Sequence, residues 1–358
     1  MRAPVVLVTG VDPTAMSAVT VGLQWDLPNA VAVQHRIDPE RQVLHRIVSD
    51  MTGVLDRAEI ALEHACVTCA IREDVIPTIE RCARDGRWKT VIAHLPVGAE
   101  GDQVCAVVNW DTRLARHIRI AGVVAALDGS TLVADLLGDA LLRERGLHSA
   151  ADDTRGVGEV ACAQIEYADL VVVTGGSDAV GRGLVRTLAR PDAVLVEGAE
   201  HVDGAELLDR SHAHDAAVAW VDPTFDEELP EPAFPQIWRI DLRSPRAFHP
   251  DRLLADLELI GGGEHRSRGC FWLPSRPGKA LVWDGAGGQL SIGTGRPWGR
   301  RAPFTRIVLT GVGEPPAGLE DAFDDLLLGP DLEGRNWRVE EDGFEPWLGN
   351  IRDLDLPA

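Results

Sequence analysis

The 358 residues predict an α/β protein in two parts: a parallel sheet with helices on both faces, followed by a smaller α+β domain. Two observations predict it. Short, almost continuously apolar runs rich in β-branched residues recur through the first 200 residues, separated by longer stretches with helical spacing. From Gln236 onward the pattern changes to alternating strands around an amphipathic segment.

In the first part the expected strands are 5–9, 30–34, 90–93, 122–127, 170–174 and 193–196, and the clearest helices are 74–84 and 178–188. Strands apolar on both sides require cover on both faces, and strand alternating with helix gives parallel pairing. Residues 201–235 are acidic, with prolines toward the end, and are expected to be a linker holding at most one short helix. In the second part, 236–351, strands are expected over QIWRIDLR, GCFWLP, KALVWDG, QLSIGT and RIVLTGVG, with helices over 250–260 and 319–328.

Composition narrows the function. With 35 Lys+Arg against 56 Asp+Glu the net charge is −21, which disfavours a broad nucleic-acid face and favours a basic protein partner or a cation. Hydrophobic residues at 45% and charged residues at 25% exclude a disordered chain. The start MRAPVVLVTG reads as a strand rather than a secretory signal, and no apolar stretch approaches the roughly 20 residues of a membrane span. The cytoplasm is the expected compartment, where six cysteines remain reduced. Only two of the basic residues are lysines, Lys89 and Lys279, and neither follows a glycine-rich turn. A phosphate loop with its usual lysine is therefore excluded.

The first strand nonetheless runs into GVDPTAMS, Gly10 to Ser17. Against G-x-x-x-x-G-K-[ST], Gly10 and Ser17 fit, Ala15 stands at the second glycine and Met16 at the lysine. Met16 brings no charge, and Ala15 resists the positive φ that a phosphate cradle favours. Two readings stay open: an ordinary strand–turn–helix connection, or a degraded phosphate loop.

Cys66 and Cys69 in HACVTCAIRED have C-x-x-C spacing. Two thiolates three residues apart can chelate one tetrahedral ion, typically zinc. His64, Glu63 and Glu73 lie close in sequence, and His94 is a candidate ligand from a neighbouring strand. A redox pair and plain buried cysteines are the alternatives. Cys82, Cys105, Cys162 and Cys270 are scattered and read individually as small apolar residues.

Together these segments resemble the CobW-like proteins, a family of P-loop GTPases linked to zinc and cobalt handling. The resemblance follows the family's order over nearly the whole chain. Ala65–Cys69 matches the G-C-x-C-C metal motif with Thr68 in place of the middle cysteine, and Gln164–Asp169 matches the lead-in to the guanine-reading strand. Pro245–Leu253, Arg266–Leu273, Gly287-Gly288 and Trp298 match the C-terminal domain, the most specific part. The resemblance implies a P-loop-NTPase-like domain, a CobW C-terminal domain and zinc on Cys66 and Cys69.

The departures cluster in nucleotide chemistry. His94 in VIAHLPVG replaces the magnesium-linked Glu, while Thr174 and Gly175 replace the guanine-reading Asn and Lys, leaving Asp178 one place out of register. With phosphate charge, magnesium positioning and base recognition all affected, GTP is a doubtful cofactor and turnover is expected to be poor or absent. Within the family, this pattern resembles an actinobacterial branch that includes a mycobacterial factor recruiting a ribosome hibernation protein during zinc starvation. That resemblance implies a zinc-responsive recruitment factor with a basic ribosome-associated partner. The rival expectation is a GTP-hydrolysing metallochaperone serving a zinc-dependent client.

His201, His212 and His214 in the acidic segment read either as part of a solvated linker or as weak auxiliary zinc ligands. The tryptophans of the second domain read mainly as packing, His249-Pro250 as a helix start, and Arg252 as the partner of a carboxylate.

Overall fold

The computed structural model describes residues 2–332, 337 and 339–351. Two compact units result: one takes the chain up to Asp135 together with Ala140–Val221, the other takes Leu136–Asp139 and the chain from Asp222 onward.

Along the first stretch run β1 (Ala3–Gly10), α1 (Pro13–Asp26), β2 (Ala30–Asp38), β3 (Val43–Asp50), β4 (Gly53–Ala61), α2 (Val67–Ala70) and α3 (Ile76–Asp85). Then come β5 (Thr90–His94), α4 (Gly101–Trp110), β6 (Ile118–Asp128), α5 (Leu132–Leu137), α6 (Val157–Tyr167) and β7 (Leu170–Thr174). The stretch closes with α7 (Ala179–Leu188), β8 (Val194–Glu197), α8 (Gly204–Asp209) and α9 (His214–Val221). The eight strands form one sheet in the order β4-β3-β2-β5-β1-β6-β7-β8. From β2 to β8 all neighbours are parallel, as the apolar runs require. Along β1 the pleat divides two cores. Val5 and Leu7 pack with residues of α3, α4 and α9, while Val6 and Val8 pack with residues of α1 and α8.

Two features of this unit differ from expectation. The sheet is extended by an antiparallel hairpin, β3–β4, pairing back onto β2. Its outer strand is largely exposed and carries ion pairs, Arg46–Asp56 and Arg41–Glu59, instead of an apolar stripe. A charged edge guards against further pairing and leaves no hydrophobic period to read. The second difference is the linker expected over 201–235. Its first part is helical and built into the unit: Val202 and Leu207 are buried in one core and Ala217 in the other. Leu207 on α8 and Ala217 on α9 stand as isolated buried apolar residues among acids, so the segment shows no apolar period.

In the second unit β9 (Ile237–Ser244), β10 (His265–Phe271), β11 (Lys279–Ala286), β12 (Gln289–Pro297) and β13 (Thr305–Val312) form an antiparallel sheet ordered β12-β11-β10-β13-β9. The helix expected over 250–260 is broken at Asp256 into α10 (Pro250–Ala255) and α11 (Glu258–Gly261), and Leu253 and Ile260 still reach the same core. That core stacks Phe248 on Phe271 and Phe323 at centroid separations of 5.6 and 5.5 Å, with Trp283 beyond. Helix α12 (Leu319–Leu326) ends under Arg252, whose guanidinium donates to the carbonyls of Asp325 and Leu327 at 2.7 and 2.8 Å. Arg252 thus caps a helix C-terminus, where orphan carbonyls and the dipole favour a cation, rather than pairing with a carboxylate.

Candidate functional site

The phosphate-loop segment is not a loop. In a strand–GxxxxGK[ST]–helix unit the motif lies between strand and helix. Here β1 ends at Gly10 and α1 begins at Pro13, so Ala15, Met16 and Ser17 lie inside the helix. Local chemistry dictates the early start. Asp12 is an N-cap whose carboxylate accepts the Ala15 N–H at 2.6 Å, and Pro13 follows at the first helical position. The Met16 N–H is taken by the Asp12 carbonyl at 3.1 Å, and the Met16 side chain is fully buried in the core beside Ala15 and Val19. Ser17 donates its hydroxyl to the Pro13 carbonyl at 2.7 Å. The mouth of β1 is covered as well: Gly98 donates its N–H to the Gly10 carbonyl at 3.1 Å, and Gln164 Nε2 donates to the Ala99 carbonyl at 2.8 Å.

The other nucleotide positions are likewise occupied internally. His94 ends β5, buried, with Nδ1 3.0 Å from the Thr20 hydroxyl. Thr20 spends its proton on the Met16 carbonyl, so the His94 Nδ1 is the donor to Thr20. Burial, with the nearby His35 adding to it, lowers the His94 pKa to about 4, and the ring is neutral at pH 7. Thr174 Oγ1 donates to the Leu127 carbonyl at 3.0 Å, and Asp178 caps α7 by accepting the Gly181 N–H at 2.6 Å.

Cys66 and Cys69 sit at the head of α2, both half-buried. Cys66 is the N-cap, and its Sγ accepts the Cys69 N–H at 3.3 Å. The neighbouring Cys66 sulfur and burial raise the Cys69 pKa, while Arg72 opposes the rise. A π turn, Ile71–Val75, separates α2 from α3. Pro77 has no N–H for the Glu73 carbonyl, and the chain widens just ahead of it. The donor chemistry fits zinc. Among the described residues no third His, Cys, Asp or Glu clusters with the two thiols; exposed His64 precedes them in the loop, and His94 is committed to Thr20.

The Gln164–Asp169 segment is tied into the unit by its polar groups. Asp169 accepts from the Val123 N–H at 2.8 Å and pairs with Arg190 at 2.6 Å and with His212 at 2.8 Å. His212 and His214 are therefore packed against the end of α6 rather than solvated, which their local spacing in an acidic segment could not reveal. His201 remains exposed.

A family model for the CobW/HypB/UreG nucleotide-binding domain matches residues 41–202. A second, for the C-terminal domain of the cobalamin synthesis protein CobW, matches residues 237–327. The zinc chaperone Rv0106 of Mycobacterium tuberculosis is 30% identical over 316 residues, covering 83% of this chain and 74% of that protein. The chain belongs to the CobW family. The match to the CobW nucleotide-binding domain begins downstream of Gly10–Ser17. The zinc-regulated GTPase metalloprotein activator 1 of Dictyostelium discoideum is 21% identical over 77% of this chain and 59% of its own length. The crystal structure of Zn(II)-bound YjiA GTPase from E. coli aligns with 91% of this chain and 99% of its own at 17% identity and a TM-score of 0.37. Among the described residues no helix is long and apolar enough to cross a membrane.

Proposed function

We propose that the chain is a zinc-responsive regulatory or recruitment factor of the CobW family with impaired GTP binding and hydrolysis. It engages a ribosome hibernation factor when zinc is scarce. The observation that carries this reading is a contrast between two motifs. The Cys66–Cys69 pair keeps a chelating spacing at the head of α2, whereas the phosphate-loop residues are wound into α1 with the Asp12 carboxylate on an amide that phosphate would need.

Two thiolates leave further zinc positions to be filled by water or by a partner, which suits a metal that reports its own availability. The net charge of −21 suits a basic ribosome-associated protein and not direct contact with RNA. The direction of the switch, with zinc favouring the inactive state, follows the resemblance to the recruiting branch.

A second reading, delivery of zinc to a client protein with GTP turnover, is favoured by the names of relatives, one a zinc chaperone and one a metalloprotein activator. Two experiments separate the readings. Purified protein is assayed for GTP turnover with and without zinc, and tagged protein is captured from zinc-replete and zinc-chelated cells. The recruitment reading expects no turnover above buffer and a ribosome-associated partner only under chelation, with that dependence lost in Cys66→Ala. Zinc-stimulated turnover with a zinc enzyme as partner in both conditions would overturn it.

A further inference from the structure

Away from the thiol pair, Cys105, His212 and His214 bring their metal-ligating atoms within 4.8 Å of one another. Cys105 lies on α4, His214 opens α9, and His212 stands just before it, held by its N–H on the Ile120 carbonyl at 3.1 Å. Cys105 and the His212 side chain are buried, and His214 is half-exposed. The Tyr167 hydroxyl sits among them, 3.0 Å from His212 Nε2 and 2.7 Å from His214 Nδ1.

The protonation pattern follows from the partners. Asp169 lies 2.8 Å from His212 Nδ1; burial raises its carboxyl pKa, but the hydrogen bonds from His212 and from the Val123 N–H, with the Arg190 charge alongside, outweigh burial and keep it low. An ionised carboxylate only accepts, so Nδ1 carries a proton, and in the neutral ring that ligates a metal Nε2 presents its lone pair to the cluster. Tyr167 has one proton, which goes to that lone pair, and His214 Nδ1 then donates to Tyr167. A carboxylate holding one imidazole nitrogen so that the other faces inward is how metal-ligating histidines are oriented. A hydrogen-bond network alone leaves one group unexplained. Asp102, one helical turn before Cys105 on α4, has a buried Oδ1 with no hydrogen-bond partner among the described residues and interacts electrostatically with His214.

We propose that Cys105, His212 and His214 form a second zinc site, with Asp102 as the chain's own fourth donor and Asp169 as the positioning residue for His212. The set is one thiolate, two imidazoles and one carboxylate, all ordinary zinc ligands. Tetrahedral zinc with Zn–N of about 2.0–2.1 Å and Zn–S of about 2.3 Å sets its ligand atoms about 3.3–3.6 Å apart, so side chains already within 4.8 Å close onto the ion as the Tyr167 hydroxyl moves aside. The ion enters from the His214 side. Binding replaces the Cys105 thiol proton, which is released to solvent, and the His214 proton shifts from Nδ1 to Nε2 so that Nδ1 presents its lone pair. Because zinc competes with the thiol proton, affinity falls as pH is lowered. This site stands independently of any role for Cys66 and Cys69.

The test uses the full chain with Cys66→Ser and Cys69→Ser, titrated with Co²⁺ and then with Zn²⁺, with circular dichroism and thermal melting to confirm folding. One equivalent of Co²⁺ is expected, with the strong visible bands of tetrahedral geometry and a thiolate charge-transfer band, all displaced by Zn²⁺. Adding His214→Gln, which keeps an amide for Tyr167, is expected to weaken binding by at least about 10-fold, and Asp102→Asn by a smaller factor. A folded Cys66→Ser/Cys69→Ser protein that binds no metal overturns the proposal. So does a bound ion without a thiolate band, or binding unchanged by His214→Gln. Failure of the thiol-pair reading is a separate result: the wild-type and doubly substituted chains would then bind the same single equivalent.

Discussion

The carboxylate of Asp12 accepts the backbone N–H of Ala15 at 2.6 Å, so a negative charge already occupies the helix N-terminus that a phosphate loop would present to its ligand. Proline at position 13 removes another donor, and Met16 points into the core. Restoring the lysine alone therefore does not restore the site. Met16→Lys is expected to leave GTP binding at background while lowering stability by about 2–4 kcal/mol, because it buries an unpaired ammonium. Fluorescent-nucleotide titration and urea unfolding measure the two effects. Nucleotide binding gained by Met16→Lys alone would show that the loop can unwind.

His94 gives the first unit a built-in sensitivity to acid. Above about pH 6.5 its ring is neutral whether the chain is folded or unfolded. Below that, the unfolded chain takes up a proton, while the buried ring, held down to about 4, does not. Stability therefore falls between about pH 6.5 and 4, by up to about 3 kcal/mol from this residue. His94→Gln is expected to flatten that part of the profile, read as the difference between wild-type and variant unfolding free energies at pH 7 and pH 4.5. Parallel profiles would refute it.

In the second unit Arg276 and Asp342 form a bidentate pair at 2.8 and 2.9 Å, with both side chains almost wholly buried. Ser275 adds a hydrogen bond at 2.6 Å to the same carboxylate. Removing one partner strands the other charge, so Arg276→Ala is expected to cost about 3–5 kcal/mol. The double change Arg276→Met/Asp342→Leu should cost markedly less. Denaturant unfolding of the three proteins checks the order, and equal losses would contradict it.

Gly269 in the Arg-Ser-Arg-Gly segment has φ of +155°, and a Cβ there would lie 1.9 Å from the Arg306 carbonyl of the neighbouring strand β13. Gly269→Ala is expected to push β10 away from β13 and to cost at least about 2 kcal/mol. An unchanged melting temperature would mean the strands can separate at that point without loss.

Legibility followed the range of the interaction. The parallel strands and the C-terminal strands were readable because burial on one or both faces writes a period into the sequence. The β3–β4 hairpin was not, because its ion pairs replace that period. The chain passes to the second unit at Asp222, inside the expected linker, because Val202, Leu207 and Ala217 are too few to change an acidic average yet sufficient to anchor two short helices. At the nucleotide positions the missing lysine is plain in the sequence, whereas the capping roles of Asp12 and Asp178 depend on where α1 and α7 begin.

The α/β architecture, the missing phosphate-loop lysine and the Cys66–Cys69 spacing each depend on residues close together in the chain, so all three are legible in it directly. The burial of Met16, the approach of His94 to Thr20 and the meeting of Cys105, His212 and His214 around Tyr167 arise from packing between distant segments. Those meetings are set by how α4, α6 and α9 pack together beside one sheet. Packing brings together residues that local periodicity cannot connect.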